Sequence, residues 1–115
     1  MSVKTTYFTE LDAVTGAATS TVGAATINSQ TGQITTEALT TAAGATYTMT
    51  LTNSLIKASS IVLVSVGKGT DTAGMPAVCF VTPATGSCVI IVQNVHAINA
   101  LNGTITLNFA VSNVA

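Results

Sequence analysis

Ala45-Thr46-Tyr47-Thr48-Met49-Thr50-Leu51-Thr52-Asn53 is the stretch that decides the fold. Tyr47, Met49 and Leu51 alternate with Thr46, Thr48, Thr50 and Thr52, and a period of two belongs to a strand with one face in a core and the other toward water. The same beat returns from Thr104 to Asn113, where Ile105, Leu107, Phe109 and Val111 alternate with Thr106, Asn108, Ala110 and Ser112. These two segments predict half-buried strands.

Two other segments break the alternation. Ser59 to Val66 and Ser87 to Gln93 are apolar almost throughout, with Ile61-Val62-Leu63-Val64 and Cys88-Val89-Ile90-Ile91-Val92 at their centres. Ala24 to Asn28 and Gln33 to Thr36 read as a hairpin turned by Ser29, Gln30, Thr31 and Gly32. Met75 to Thr82 reads as a further strand, Gly67 to Gly74 as a loop and Asn94 to Asn102 as a connection. Seven or so short strands, with turn signals about every 8 to 12 residues, predict an all-β, antiparallel β-sandwich of jelly-roll-like type. Residues 24–115 form that domain, and residues 1–23 read as an N-terminal arm. The arm carries Lys4, Tyr7, Phe8, Glu10, Leu11 and Asp12, followed by an Ala/Thr/Ser/Gly linker from Ala13 to Gly23.

A sandwich has an inside and an outside, so a strand that is apolar on both faces needs cover outside as well. No helical layer is predicted to supply it; a second copy of the chain is the simplest cover, and the alternative is that the arm of the same chain covers one sheet face. Full burial of each extra aliphatic side chain contributes about 1.5–3 kcal/mol, enough over several residues to make assembly obligate. Ile61, Val62, Leu63, Val64, Val89, Ile90, Ile91 and Val92 are therefore the expected oligomer interface. Lys57 and Lys68 bracket the first of these runs, where charge discourages edge-to-edge aggregation.

Composition agrees. Charged residues are 6% of the 115-residue chain, against roughly 25% in an ordinary soluble domain. Its surface must be made from Thr, Ser, Asn and backbone, which points to a structural part rather than a freely diffusing enzyme. With three basic residues and a net charge of −1, the chain lacks the phosphate contacts a nucleic-acid binder needs. Its apolar runs are too short to span a bilayer, and the first residues do not form a signal-peptide core, so synthesis in a cytosol is expected.

Catalytic groups are few. His96 is the one histidine and is expected to hold the Asn94–Asn102 connection. Glu10, Asp12, Glu37 and Asp71 are the only carboxylates available for acid–base work, and a facing pair would have to be shared between copies. Gly67-Lys68-Gly69-Thr70 lacks the upstream glycine and the Ser or Thr directly after lysine that a phosphate loop requires. No metal-ligand spacing is present, and no cofactor is expected. Asn102-Gly103-Thr104 matches a glycosylation sequon and reads as a chance match. Cys79 and Cys88 face each other only if the intervening hairpin has a two-residue loop at Pro83-Ala84. Two buried thiols are the plainer expectation, and a disulfide is the alternative.

From about Gly32 to Asn113 the chain resembles short bacteriophage virion proteins. The resemblance rests on Gln33 to Gly44, Tyr47 to Asn53, Val64-Ser65-Val66-Gly67 through Thr82-Pro83, and Val95-His96-Ala97 leading to Leu101-Asn102-Gly103-Thr104. It implies a small, trimeric, jelly-roll-like module of a head-decoration protein or a fibre tip, located in the virion. The implied partners are other copies and the major capsid protein or another virion protein, with no nucleic acid and no membrane. It carries over no active site. Lys4, Tyr7, Phe8, Leu11 and Asp12 are the expected capsid contacts, because aromatics and mixed charge in an otherwise bland arm suit anchoring. The alternative is a receptor- or glycan-binding tip using the loops Gly67–Gly74 and Asn94–Asn102.

Overall fold

The computed structural model describes residues 15–113. Eight strands appear in the order β1 (Thr15–Thr19), β2 (Ala24–Thr26), β3 (Thr31–Thr35), β4 (Thr46–Thr52), β5 (Ile61–Lys68), β6 (Pro76–Ala84), β7 (Ser87–Asn94) and β8 (Ile105–Ser112). They form two four-stranded sheets, β1-β3-β8-β5 (sheet A) and β2-β4-β7-β6 (sheet B), packed face to face. Among the described residues there is no helix.

The alternating segments do what their period dictates. Met49 and Leu51 of β4 and Ile105, Leu107, Phe109 and Val111 of β8 are buried, while Thr46, Thr48, Thr50, Thr52, Asn108 and Ser112 face solvent. Ile34, Ile90 and Val92 complete the centre of the core. Met49 stands opposite Ile90 and Ile34 opposite Leu107, so each sheet presents a continuous apolar inner face.

Three expectations are corrected. Ala24–Asn28 and Gln33–Thr36 do not make a hairpin, because β2 and β3 lie in different sheets. The physical reason is Ile27: it is buried, and its N–H continues the pairing of β2 by donating to Thr52 O at 3.0 Å, so the turn crosses between layers. Thr15–Thr19, expected in a linker, is strand β1 and pairs with β3; the remainder of the expected linker up to Val14 lies outside the described residues. Small residues are what the site demands, since a Cβ on Gly16 would stand 2.4 Å from Ile27 Cγ2, and one on Gly32 would stand 2.7 Å from Phe109 Cε2. The sheets are also mixed rather than wholly antiparallel, for β1 runs parallel to β3 and β2 parallel to β4.

The β1–β2 junction is a tight turn. Thr21 and Ala24 exchange backbone hydrogen bonds of 2.9 and 3.1 Å, and the two central residues, Val22 and Gly23, both have positive φ, 49° and 73°. That is type I′ geometry, with a β-branched residue where Asn or Gly is preferred.

Candidate interaction surfaces

The expected interface residues separate into three groups. Ile90 and Val92 are wholly buried in the chain's own core, and Val62 and Val64 pack partly against it. Val89 and Ile91 lie half-buried on the outer face of sheet B. Ile61 and Leu63 stand on the outer face of sheet A, 51% and 67% exposed. Lys4, Tyr7, Phe8, Leu11 and Asp12 lie outside the described residues.

Phe80 joins these surfaces and was not legible from the periodicity. Counted by strict alternation from Val78, it belongs in the core. A bulge between Val78 and Phe80 shifts the register of β6, so Val78 and Val81 pack inward while Phe80 turns outward opposite Ile91. It is 59% exposed. Cys79 sits in the same bulge, exposed, and Cys88 is buried opposite Pro83. The hairpin turns through Thr85-Gly86 rather than Pro83-Ala84, so the register does not bring the two free thiols together. Burial pushes the Cys88 thiol up from its ordinary pKa.

The expected receptor loops meet at the end of the sandwich where β5 finishes and β6 begins. Asp71 is buried, and its Oδ1 accepts from the Asn102 N–H at 2.9 Å and the Gly74 N–H at 3.3 Å, while Oδ2 has no hydrogen-bond partner. Asn102 Oδ1 in turn accepts from the Thr72 and Ala73 N–H groups at 2.7 and 3.2 Å. Buried Asn94 accepts from the Met75 and His96 N–H groups and donates to the carbonyls of Thr41 and Asn99. His96 Nδ1 accepts from the N–H groups of Ile98 and Asn99 at 3.0 and 2.9 Å, which places the ring proton on Nε2. These polar side chains hold loop backbone in place and leave Met75, Val95 and Ile98 exposed at the tip.

Glu37 has a similar task at the β1–β2 turn. Its Oε1 accepts from the hydroxyls of Ser20 and, at 2.9 Å, Tyr47; its Oε2 accepts from the Gly23 N–H at 2.9 Å. Burial acts to raise the Glu37 pKa, but the hydrogen bonds from Ser20, its own backbone, Tyr47 and Gly23 outweigh it and leave the carboxyl below its ordinary value. Burial, reinforced by the facing carboxylate, pushes the Tyr47 phenol up to about 12, with the Ser20 hydroxyl opposing.

Glu37 and Asp71 thus serve separate clusters with no shared partner. Among the described residues, no three His, Cys, Asp or Glu side chains come together as a metal-binding group. What the described structure offers a partner is therefore surface: two apolar patches on the sheet exteriors and a braced loop end. No protein-family model, curated protein or solved structure matches the chain.

Proposed function

We propose that this chain is a structural protein of a bacteriophage virion, a capsid decoration (cement) protein that assembles as a trimer on the outer shell and reinforces it where shell subunits meet. Its sandwich would be jelly-roll-like in use, a rigid plug, with residues 1–14 acting as the part of the arm that binds the shell through Lys4, Tyr7, Phe8, Leu11 and Asp12. No reaction is involved. The observation that carries this reading is the pair of uncharged sheet exteriors bearing Ile61, Leu63 and Phe80 in a chain with so little charge to keep it dispersed.

The test uses particles of the virus that encodes it. Particles made without the chain should assemble but rupture at lower temperature, and added full-length protein should restore them. Substituting both Tyr7→Ser and Phe8→Ser should leave the trimer intact and abolish binding to shells. Binding to host cells with no affinity for undecorated heads would overturn the decoration role.

That outcome would favour the second reading, a fibre-tip module that binds a host receptor or glycan. The braced junction of the 69–75 and 95–104 connections supports it, because Asp71, Asn94 and Asn102 pre-form a loop end with exposed side chains.

A further inference from the structure

After β7 the chain leaves both sheets and is next anchored where the Leu101 N–H donates to Thr41 O at 2.9 Å. Within residues 95–100 one backbone–backbone bond ties it to a neighbour, from the Val95 N–H to Met75 O at 2.8 Å. Two side chains supply the rest. Asn94 Oδ1 accepts from the His96 N–H at 3.1 Å, and Asn94 Nδ2 donates to Asn99 O at 2.9 Å. His96 Nδ1 accepts from the N–H groups of both Ile98 and Asn99, at 3.0 and 2.9 Å. The half-buried imidazole thus closes the loop on a single ring nitrogen.

The two braces differ in chemistry. An amide such as Asn94 keeps its donors and its acceptor at any ordinary pH. Histidine changes charge between about pH 5 and 8, and its cation carries a proton on both nitrogens. A proton on Nδ1 turns the acceptor into a donor aimed at two other donors, so both bonds must break. The connections packed against the loop are 36–45, through Thr41, and 69–75, through Met75. Their ionisable groups are Glu37 and Asp71, with Lys68 at the end of β5. The bonds of both carboxylates go elsewhere, Glu37 to the β1–β2 turn and Asp71 to the Gly74 and Asn102 N–H groups.

We propose that His96 is an acid-sensitive latch: the neutral ring holds residues 96–99 closed, and protonation of Nδ1 releases them. What is released is surface. Val95 and Ile98, 50% and 81% exposed, stand on this connection beside the exposed Met75. The closed loop therefore presents one fixed apolar arrangement at this end of the sandwich, and the protonated loop does not. The latch operates in either reading of the function given above and stands or falls apart from both.

Nuclear magnetic resonance on isotope-labelled full-length protein, taken from about pH 8 to about pH 5, tests this. Ring nitrogen shifts report the charge of His96, and amide exchange at Ile98 and Asn99, corrected for the intrinsic effect of pH, reports the loop. As the ring takes up its proton, protection of those two amides should fall roughly tenfold or more, as two lost hydrogen bonds require. Leu101, bonded to Thr41 O, should keep its protection. His96→Ala should leave Ile98 and Asn99 open at every pH. His96→Asn supplies an acceptor that does not titrate and reaches the N–H two residues on, so it should protect Ile98 throughout. Should a variant fail to fold, the wild-type titration alone decides. Four results would overturn the latch: a ring that stays singly protonated over the whole range, unchanged protection at Ile98 and Asn99 once the ring is charged, loss at Gly74 and Asn102 in their place, or the wild-type pH dependence persisting in His96→Asn.

Discussion

The two flanks of the sandwich are closed by opposite means. At the β5–β6 flank, valines from both edges pack against the core and large apolar groups, Ile61, Leu63 and Phe80, remain outside. At the β1–β2 flank the strands are short and made of Gly, Ala and Thr, and a polar cluster of Ser20, Glu37 and Tyr47 fastens the turn between them. One flank has apolar surface to spare; the other has hardly enough to close. The first is suited to meeting a partner, and the second depends on hydrogen bonds and close backbone approach.

Substitutions should expose this contrast. The largest effect is expected at the thin flank. Gly32→Val drives a side chain into Phe109 and the Gly16 carbonyl, and overpacking of this kind costs about 1–3 kcal/mol, readable as a lowered urea midpoint. A midpoint equal to that of the wild-type chain would mean that the β1–β3 approach is not tight.

Tyr47→Phe is next, at about 0.5–1.5 kcal/mol for loss of one part-buried side-chain hydrogen bond. Its pH profile is more telling than its size. Glu37 has a folded pKa below its ordinary value, so its contribution is complete above the carboxylate range and is lost as pH falls through the folded value. Tyr47 has a folded pKa raised from 10.0 to about 12, so its contribution is complete below the ordinary phenol value and is lost as pH rises through about 12. Wild-type stability should therefore fall on the acid side as Glu37 protonates and on the alkaline side as Tyr47 and the buried Cys88 thiol ionise, and Tyr47→Phe should remove the tyrosine part of the alkaline limb while that of Cys88 remains. An identical alkaline limb in the variant would show that the phenol does not set it.

Val22→Gly should stabilise the fold by about 0.5–1 kcal/mol by relieving a β-branched residue at φ 49°, in a turn where that side chain is 89% exposed and supplies no packing. Leu63→Ser, on the other flank, should shift the stability of the isolated subunit by less than about 0.5 kcal/mol. Thermal melts at high dilution distinguish the two signs, and a large loss at Leu63 would mean that its side chain is structural to the subunit itself.

How much of this could be read beforehand followed from how local the cause was. β4 and β8 were legible because alternation along a strand is decided within the strand. β5 and β7 looked alike as apolar runs, yet β5 is a sheet edge with two large groups outside, and β7 is an interior strand whose Ile90 and Val92 are consumed by the core. Position in a sheet depends on pairing partners distant in sequence, which no local pattern encodes. Phe80 escaped because a single extra residue reverses facing for the rest of a strand. β1 escaped because its value lies in having almost no side chains, which in a sequence resembles a linker. The loop end was legible in part: His96 was expected to brace the 94–102 connection and does so, whereas the larger roles of Asn94 and Asp71 arise from loops that meet only in three dimensions.

The central place of β8 in sheet A, between β3 and β5, bears on biosynthesis. Sheet B can grow from the β6–β7 hairpin as soon as those neighbours have left the ribosome, whereas β5 must wait through the production of two further strands and a long connection for its mate. During that interval the greasiest ribbon of the nascent chain has no ladder to join, and non-local pairing of this sort is slow to form. A chain made only as far as the connection between β7 and β8 lacks the one strand to which β5 is hydrogen-bonded, so its exposed apolar edge stays open until β8 arrives.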